Sequence, residues 1–139
     1  MFNETFSCRR RTKDLCMLWH EGITGRTAKD VAASYIKAIT LCEEKHFEFW
    51  TDNCCSQNKN WSLFTILVLA VNSDWGPESI SVKYLVKGHT FMGADAVHGL
   101  IGKKMKRSAT VLTFDDFVLL CQSASKLIQA VELRIQDFY

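Results

Sequence analysis

The fold is decided by residues 47–107, which read FEFWTDNCCSQNKNW over 47–61, an apolar run to Val71, and ISVKYLVKGHTFMGADAVHGLIGKKMKR over 80–107. Two β-like runs, Phe47–Trp50 and Ile80–Val86, are each followed at once by polar residues of the kind that bind ligands. Asp52, Asn53, Gln57 and Asn58 follow the first, and His89, Asp95 and His98 follow the second. In an open α/β sheet the carboxyl ends of parallel strands share one edge, so groups placed there converge on one ligand or metal.

Outward from that stretch, strand and helix patterns alternate. Leu15–Trp19 is a continuous apolar pentapeptide that suits a buried strand. Thr27 with Asp30 forms a capping signature, and Ala28, Val31, Ala32, Tyr35, Ile36, Ile39 and Cys42 then repeat at three and four, which predicts an amphipathic helix. The run from Trp61 to Val71 is apolar on nearly every face and too long for a usual strand, so a fully buried helix is expected there. Asp74-Trp75-Gly76-Pro77 stops it, because proline cannot continue a helix.

A further helix is expected from about Ala94 to Lys106, with Val97, Leu100, Ile101 and Met105 inward. Ala109–Leu112 is a short strand candidate. Thr113 with Asp116 repeats the capping signature ahead of a helix from Phe114 to Leu127, and Val131–Ile135 alternates as a closing strand. This order predicts an α/β layered domain. The right-handed crossover rule puts Asp52 and the Gly88–Asp95 loop on one sheet edge.

At 139 residues the chain suits one domain, residues 1–139, and 47% apolar with 23% charged residues is ordinary globular composition. No apolar segment follows the basic residues near the N-terminus as a secretory signal requires, and no run reaches the ~20 residues that span a bilayer. An intracellular protein, nuclear or cytoplasmic and not secreted, is therefore expected, with no membrane partner. The six cysteines include no CxxC pair, and most of them are expected as small buried apolar groups. Net charge is only +2, but basic residues cluster at Arg9–Lys13 and at Lys103, Lys104, Lys106 and Arg107, where phosphate contact with DNA is one option and a solvated helix end the other. Gly22–Thr27 superficially suggests a phosphate-binding loop, but its glycines stand too close and arginine replaces the required lysine.

Magnesium and manganese take hard oxygen ligands, and carboxylates hold the ions in two-metal phosphoryl chemistry. Asp52 after one strand and Asp95 in the first turn of the helix after the next have the sequence placement such a site uses. His98, one helical turn from Asp95, would share its face and could ligate, and His89 is a candidate general base. Set against this, Asp95 near a helix N-terminus is stabilising through the dipole alone, Asp52-Asn53 is ordinary turn chemistry, and a lone histidine is more often structural.

The strings Trp19-His20-Glu21-Gly22 with Gly25-Arg26, Trp50-x-Asp52-Asn53 with Gln57-Asn58-x-Asn60, and Gly88-His89-Thr90 with Asp95 and His98, together with FNETF at 2–6, resemble an uncharacterised domain family of transposon-derived animal proteins with a ribonuclease H-like, DDE-transposase-type fold. The resemblance implies a ribonuclease H-like sheet with helices on both faces, its first strand missing upstream. It also implies that Asp52 and Asp95 are the second and third carboxylates of a DDE-type triad, with magnesium or manganese as cofactor. The leading carboxylate has no counterpart here, and the tail stops short of where the family continues.

The expectation is thus a transposase-derived α/β domain, partial at both ends. It would keep a residual metal edge at Asp52, Asp95 and His98, with Asp52, Asp95 and His89 as vestigial catalytic groups and little or no catalysis. A noncatalytic module binding nucleic acid or a protein is the alternative, and an active metal-dependent nuclease the third.

Overall fold

A computed structural model describes residues 1–9, 13–89, 91–108 and 110–138. In chain order its elements are β1 (Phe2–Phe6), β2 (Asp14–Trp19), α1 (Ala28–Cys42), β3 (His46–Thr51), α2 (Trp61–Val71), β4 (Ser79–Tyr84), α3 (Gly93–Arg107), α4 (Phe114–Ala124) and β5 (Ile128–Glu132), closed by a 3-10 turn over Ile135–Asp137. The protein is mixed α/β, with small sheets and four helices among the described residues. The strands divide between a three-stranded sheet, β1-β2-β5, and a two-stranded sheet, β3-β4. The chain likewise forms two compact units: Met1–Thr24 with Phe91–Ile135, and Gly25–Thr90 with Gln136–Tyr139.

In the first unit β2 is the central strand, antiparallel to β1 and parallel to β5. Leu15 through Trp19 are 0% exposed, which is why this strand reads as an unbroken apolar run and not as an alternation. Cys16 and Leu18 join Val97 and Ile101 of α3, Phe117, Leu120 and Cys121 of α4, and Ile128 in one cluster. Burial there pushes the Cys121 thiol up to about 12, and nearby Cys16 adds to the effect. The Thr113 hydroxyl accepts from the Asp116 N–H at 3.1 Å, and the Asp116 carboxylate accepts from the N–H groups of Thr113 and Leu112. Those bonds start α4 and hold the Asp116 carboxyl below the usual carboxylate range.

Several sequence expectations shift in this unit. FNETF is strand β1, paired residue for residue with Leu15–Trp19, a partnership that local composition does not announce. Thr110–Leu112 carries no strand, and Ala109 lies outside the described residues, as do Arg10 and Arg11 of the first basic cluster. Helix α4 ends at Ala124 and not Leu127, because Ser125 turns extended. The Ser125 carbonyl and hydroxyl then accept from the N–H groups of Ile128 and Leu127, so the closing strand starts at Ile128, three residues before the predicted Val131. Leu100 and Met105 are 43% and 45% exposed. α3 packs chiefly on α4 and β1, and the narrow stripe of Val97 and Ile101 faces the core cluster.

The second unit is built on a parallel β3–β4 pair in register from His46↔Ser79 to Thr51↔Tyr84, connected through α2. The Asp30 carboxylate accepts both the N–H and the hydroxyl of Thr27 at 2.7 Å, fixing the start of α1. That helix ends at Glu43, the one non-glycine with positive φ among the described residues. The Asn60 Oδ1 accepts from the Leu63 N–H at 2.9 Å and starts α2. At the other end a Cβ on Gly76 would stand 1.7 Å from the Ala70 carbonyl oxygen, so only glycine lets the chain turn there, and Pro77 is buried behind it. Full burial of α2 is not what the structure has. Leu63, Leu67 and Ala70 are inside, whereas Trp61 is 84% exposed and Val68 and Leu69 are open to solvent. Packing against α1 and a two-stranded sheet covers one side of a helix only. No helix among the described residues is long and apolar enough to cross a membrane.

Candidate functional site

Parallel pairing brings the carboxyl ends of β3 and β4 side by side. The ladder runs past both strands, since the Leu85 N–H donates to the Thr51 carbonyl at 2.9 Å and the Asn53 amide donates to the Leu85 carbonyl at 2.5 Å. Asp52 therefore leaves β3 directly beside the segment leading to His89, whose N–H donates to the Val86 carbonyl and whose side chain is exposed.

Residues 54–59 fold into a tight turn in which the N–H groups of Gln57, Asn58 and Lys59 all converge on the Cys54 carbonyl. The turn brings Asn58 back to Asp52. Asp52 Oδ1 accepts from the Cys54 N–H at 3.0 Å and from the Asn58 amide at 2.8 Å, and no bond to its other oxygen is found among the described residues. Asn58 is 5% exposed. Its Oδ1 accepts from the Tyr35 hydroxyl of α1 at 3.1 Å, and its carbonyl accepts from the Tyr84 hydroxyl of β4 at 2.8 Å. Burial, and secondly the nearby Cys55, hold the Tyr84 phenol above its usual range. The Asn60 amide donates to the carbonyls of Cys55 and Gln57 and so ties the turn to the start of α2. Lys59 lies 3.4 Å from Asn53 Oδ1 and 5.1 Å from the centre of the Tyr84 ring.

The other sequence candidates belong to the first unit. Asp95 accepts from the Met92 N–H at 2.7 Å and starts α3, and His98 Nε2 stands 2.9 Å from the Thr5 hydroxyl of β1. His20 accepts from the Gly22 N–H and lies against Phe114. Glu21 pairs with the N-terminal ammonium at 2.6 Å, whose hydrogen bond draws its carboxyl below the usual range. Lys103, Lys104, Lys106 and Arg107 are all exposed on the last turns of α3. Of the six free thiols Cys16 and Cys121 are buried, Cys8, Cys42 and Cys54 are half-buried and Cys55 is exposed; the expectation that most are buried fails, with Cys54 and Cys55 in the polar turn and Cys42 at the last residue of α1.

Tyr35, Lys59 and Tyr84 are members of this site that the residue pattern did not single out. Tyr35 reads as one more apolar position of a helical stripe, and Tyr84 is recognised only once the register with Thr51 is known.

A family model described as Domain of unknown function (DUF7869) matches residues 44–137. The chain belongs to this family. The match starts just before β3, so the whole Asp52 turn lies inside the part that defines the domain. No curated protein and no solved structure matches the chain.

Among the described residues no three His, Cys, Asp or Glu side chains gather to hold a metal ion. A magnesium-type ion keeps several of its waters and needs only one or two carboxylates, and the Asp52 carboxylate, hydrogen-bonded on Oδ1 alone, has the donor chemistry such a cation takes.

Proposed function

We propose that this domain is a ribonuclease H-like fold of transposase ancestry that keeps a residual magnesium- or manganese-binding edge at Asp52 and carries out little or no catalysis. The observation that carries this is the carboxylate at the end of β3, fixed on one oxygen by Asn58 and the Cys54 N–H and open on the other. It stands at the carboxyl edge of a parallel strand pair joined by a helix, where α/β sheets gather ligands. Asn53 and Asn58 hold its surroundings, and His89, on the segment that follows β4, is the candidate general base. A single carboxylate at the end of β3 does not hold the pair of ions that two-metal strand cleavage requires, hence the expected lack of activity. Calorimetric titration with magnesium or manganese, on wild type and Asp52→Ala, tests the proposal. Binding in the wild type that is lost in the variant supports it; equal heats in both proteins, or none in either, defeat it.

A second role, binding nucleic acid without chemistry, is favoured by one observation: Lys103, Lys104, Lys106 and Arg107 form an exposed basic cluster at the end of α3. Phosphate contacts release counterions, so retention on DNA should weaken steeply with salt. Replacing Lys103 and Lys104 together by alanine should flatten the log–log salt slope by about 2. A slope unchanged by the double substitution removes these lysines from any such interface.

A further inference from the structure

We infer that Asn58 is the positioning residue of the Asp52 site and that the Tyr35 hydroxyl, far away in sequence on α1, sets its orientation. This inference rests on the cation-binding proposal for Asp52. An asparagine amide has two faces of opposite hydrogen-bonding character, and nothing in its shape distinguishes them. Here both faces are assigned by their partners. A carboxylate only accepts, so the Asn58 NH2 must face Asp52, and the Tyr35 hydroxyl donates to the remaining Oδ1. Rotating the amide by half a turn would set its oxygen against the Asp52 carboxylate. The residue is buried, so water does not replace either partner cheaply. Tyr84 holds the same residue through its backbone carbonyl, leaving the side chain as the adjustable part.

The consequence lies at Asp52. With Oδ1 saturated by Asn58 and the Cys54 N–H, the carboxylate has one oxygen and one orientation left to offer a cation, and partners that orient a metal-binding group typically change affinity ~10- to 100-fold when removed. Loss of the Tyr35 hydroxyl frees the Asn58 amide to rotate and loosens Asp52 without touching either residue.

The test is a nitrogen–proton correlation spectrum of the full chain, recorded without cation and during magnesium titration, for wild type, Tyr35→Phe, Asn58→Ala and Asp52→Ala. In the wild type the two Asn58 side-chain amide protons should be well separated and slow to exchange, and the Cys54 N–H should be shifted by its carboxylate partner. Tyr35→Phe keeps the ring and should fold. It should lose the Asn58 side-chain protection, move the Cys54 signal and weaken magnesium binding about tenfold. Asn58→Ala should do the same more strongly. Protected amide protons and an unmoved Cys54 signal in Tyr35→Phe would overturn the inference, whether or not magnesium binds. Absence of magnesium shifts in the wild type, or shifts that persist in Asp52→Ala, would instead defeat the cation-binding proposal. The amide protection would still decide the role of Tyr35 and Asn58.

Discussion

Strands β2 and β3 are both short and rich in large apolar residues, yet their surroundings are opposite. β2 has a partner on each side, and Leu15–Trp19 are all out of solvent. β3 has one partner among the described residues, and its side chains alternate between exposed and half-buried up to Thr51. The first arrangement makes a core and leaves no room for a polar group. The second brings polar side chains to a wet strand end, where Asp52 meets water on one side and the Asn58–Tyr35 chain on the other. Stability is therefore expected to concentrate in β2 and its helices, and ligand chemistry at the end of β3.

The sharpest way to break that contrast is a cavity in the first core. Leu18→Ala removes a fully buried side chain from the cluster with Phe117 and Ile128 and should cost ~2–5 kcal/mol in denaturant unfolding. Val68→Ala, on the exposed side of α2, should stay within about 0.5 kcal/mol. Equal costs would mean that burial does not separate these sites. Next in size is Gly76→Ala, where the added methyl meets the Ala70 carbonyl. A loss of about 1–3 kcal/mol is expected, seen as a lower urea midpoint.

Smaller still is Thr113→Ala, which deletes the hydroxyl that accepts from Asp116 and should cost about 1 kcal/mol at neutral pH. The Asp116 carboxyl is lowered by its bonds to Thr113 and Leu112, so its contribution is present above the unfolded value near ~4 and is lost as pH falls through the lower folded value. Unfolding midpoints of Asp116→Asn and wild type should accordingly converge as the solution is acidified. A gap that widens instead would contradict the assignment.

The cysteines sharpen the contrast chemically. Burial of Cys16 and Cys121 raises both thiols above their ordinary range, so both should resist alkylation at pH 8 in the folded protein, whereas exposed Cys55 should react first. Mass mapping of a timed iodoacetamide reaction gives the order directly.

What the sequence made legible was local. The apolar pentapeptide Leu15–Trp19, the capping pairs Thr27–Asp30 and Thr113–Asp116, and the glycine–proline stop at 76–77 each carry their signal within a few residues, and each is found where expected. The place of Asp52 directly after a strand was also legible, because the β-like run before it carries its own pattern. Long-range partnerships were not. Nothing in FNETF says that it pairs with Leu15–Trp19, and nothing in a helical stripe says that Tyr35 will donate to Asn58. The partition of the strands into two sheets is equally non-local. The exposed face of α2 was misread because apolar composition reports what a helix can bury, not how much neighbouring surface is there to bury it.

Paramagnetic manganese added in small amounts to the nitrogen-15-labelled full chain gives the most direct test of a cation at the end of β3. Selective broadening of the Asp52, Asn53, Cys54 and Leu85 amides, abolished in Asp52→Asn and reversed by a chelator, is the predicted result. Broadening centred elsewhere, or unchanged when Asp52 is replaced, would contradict it.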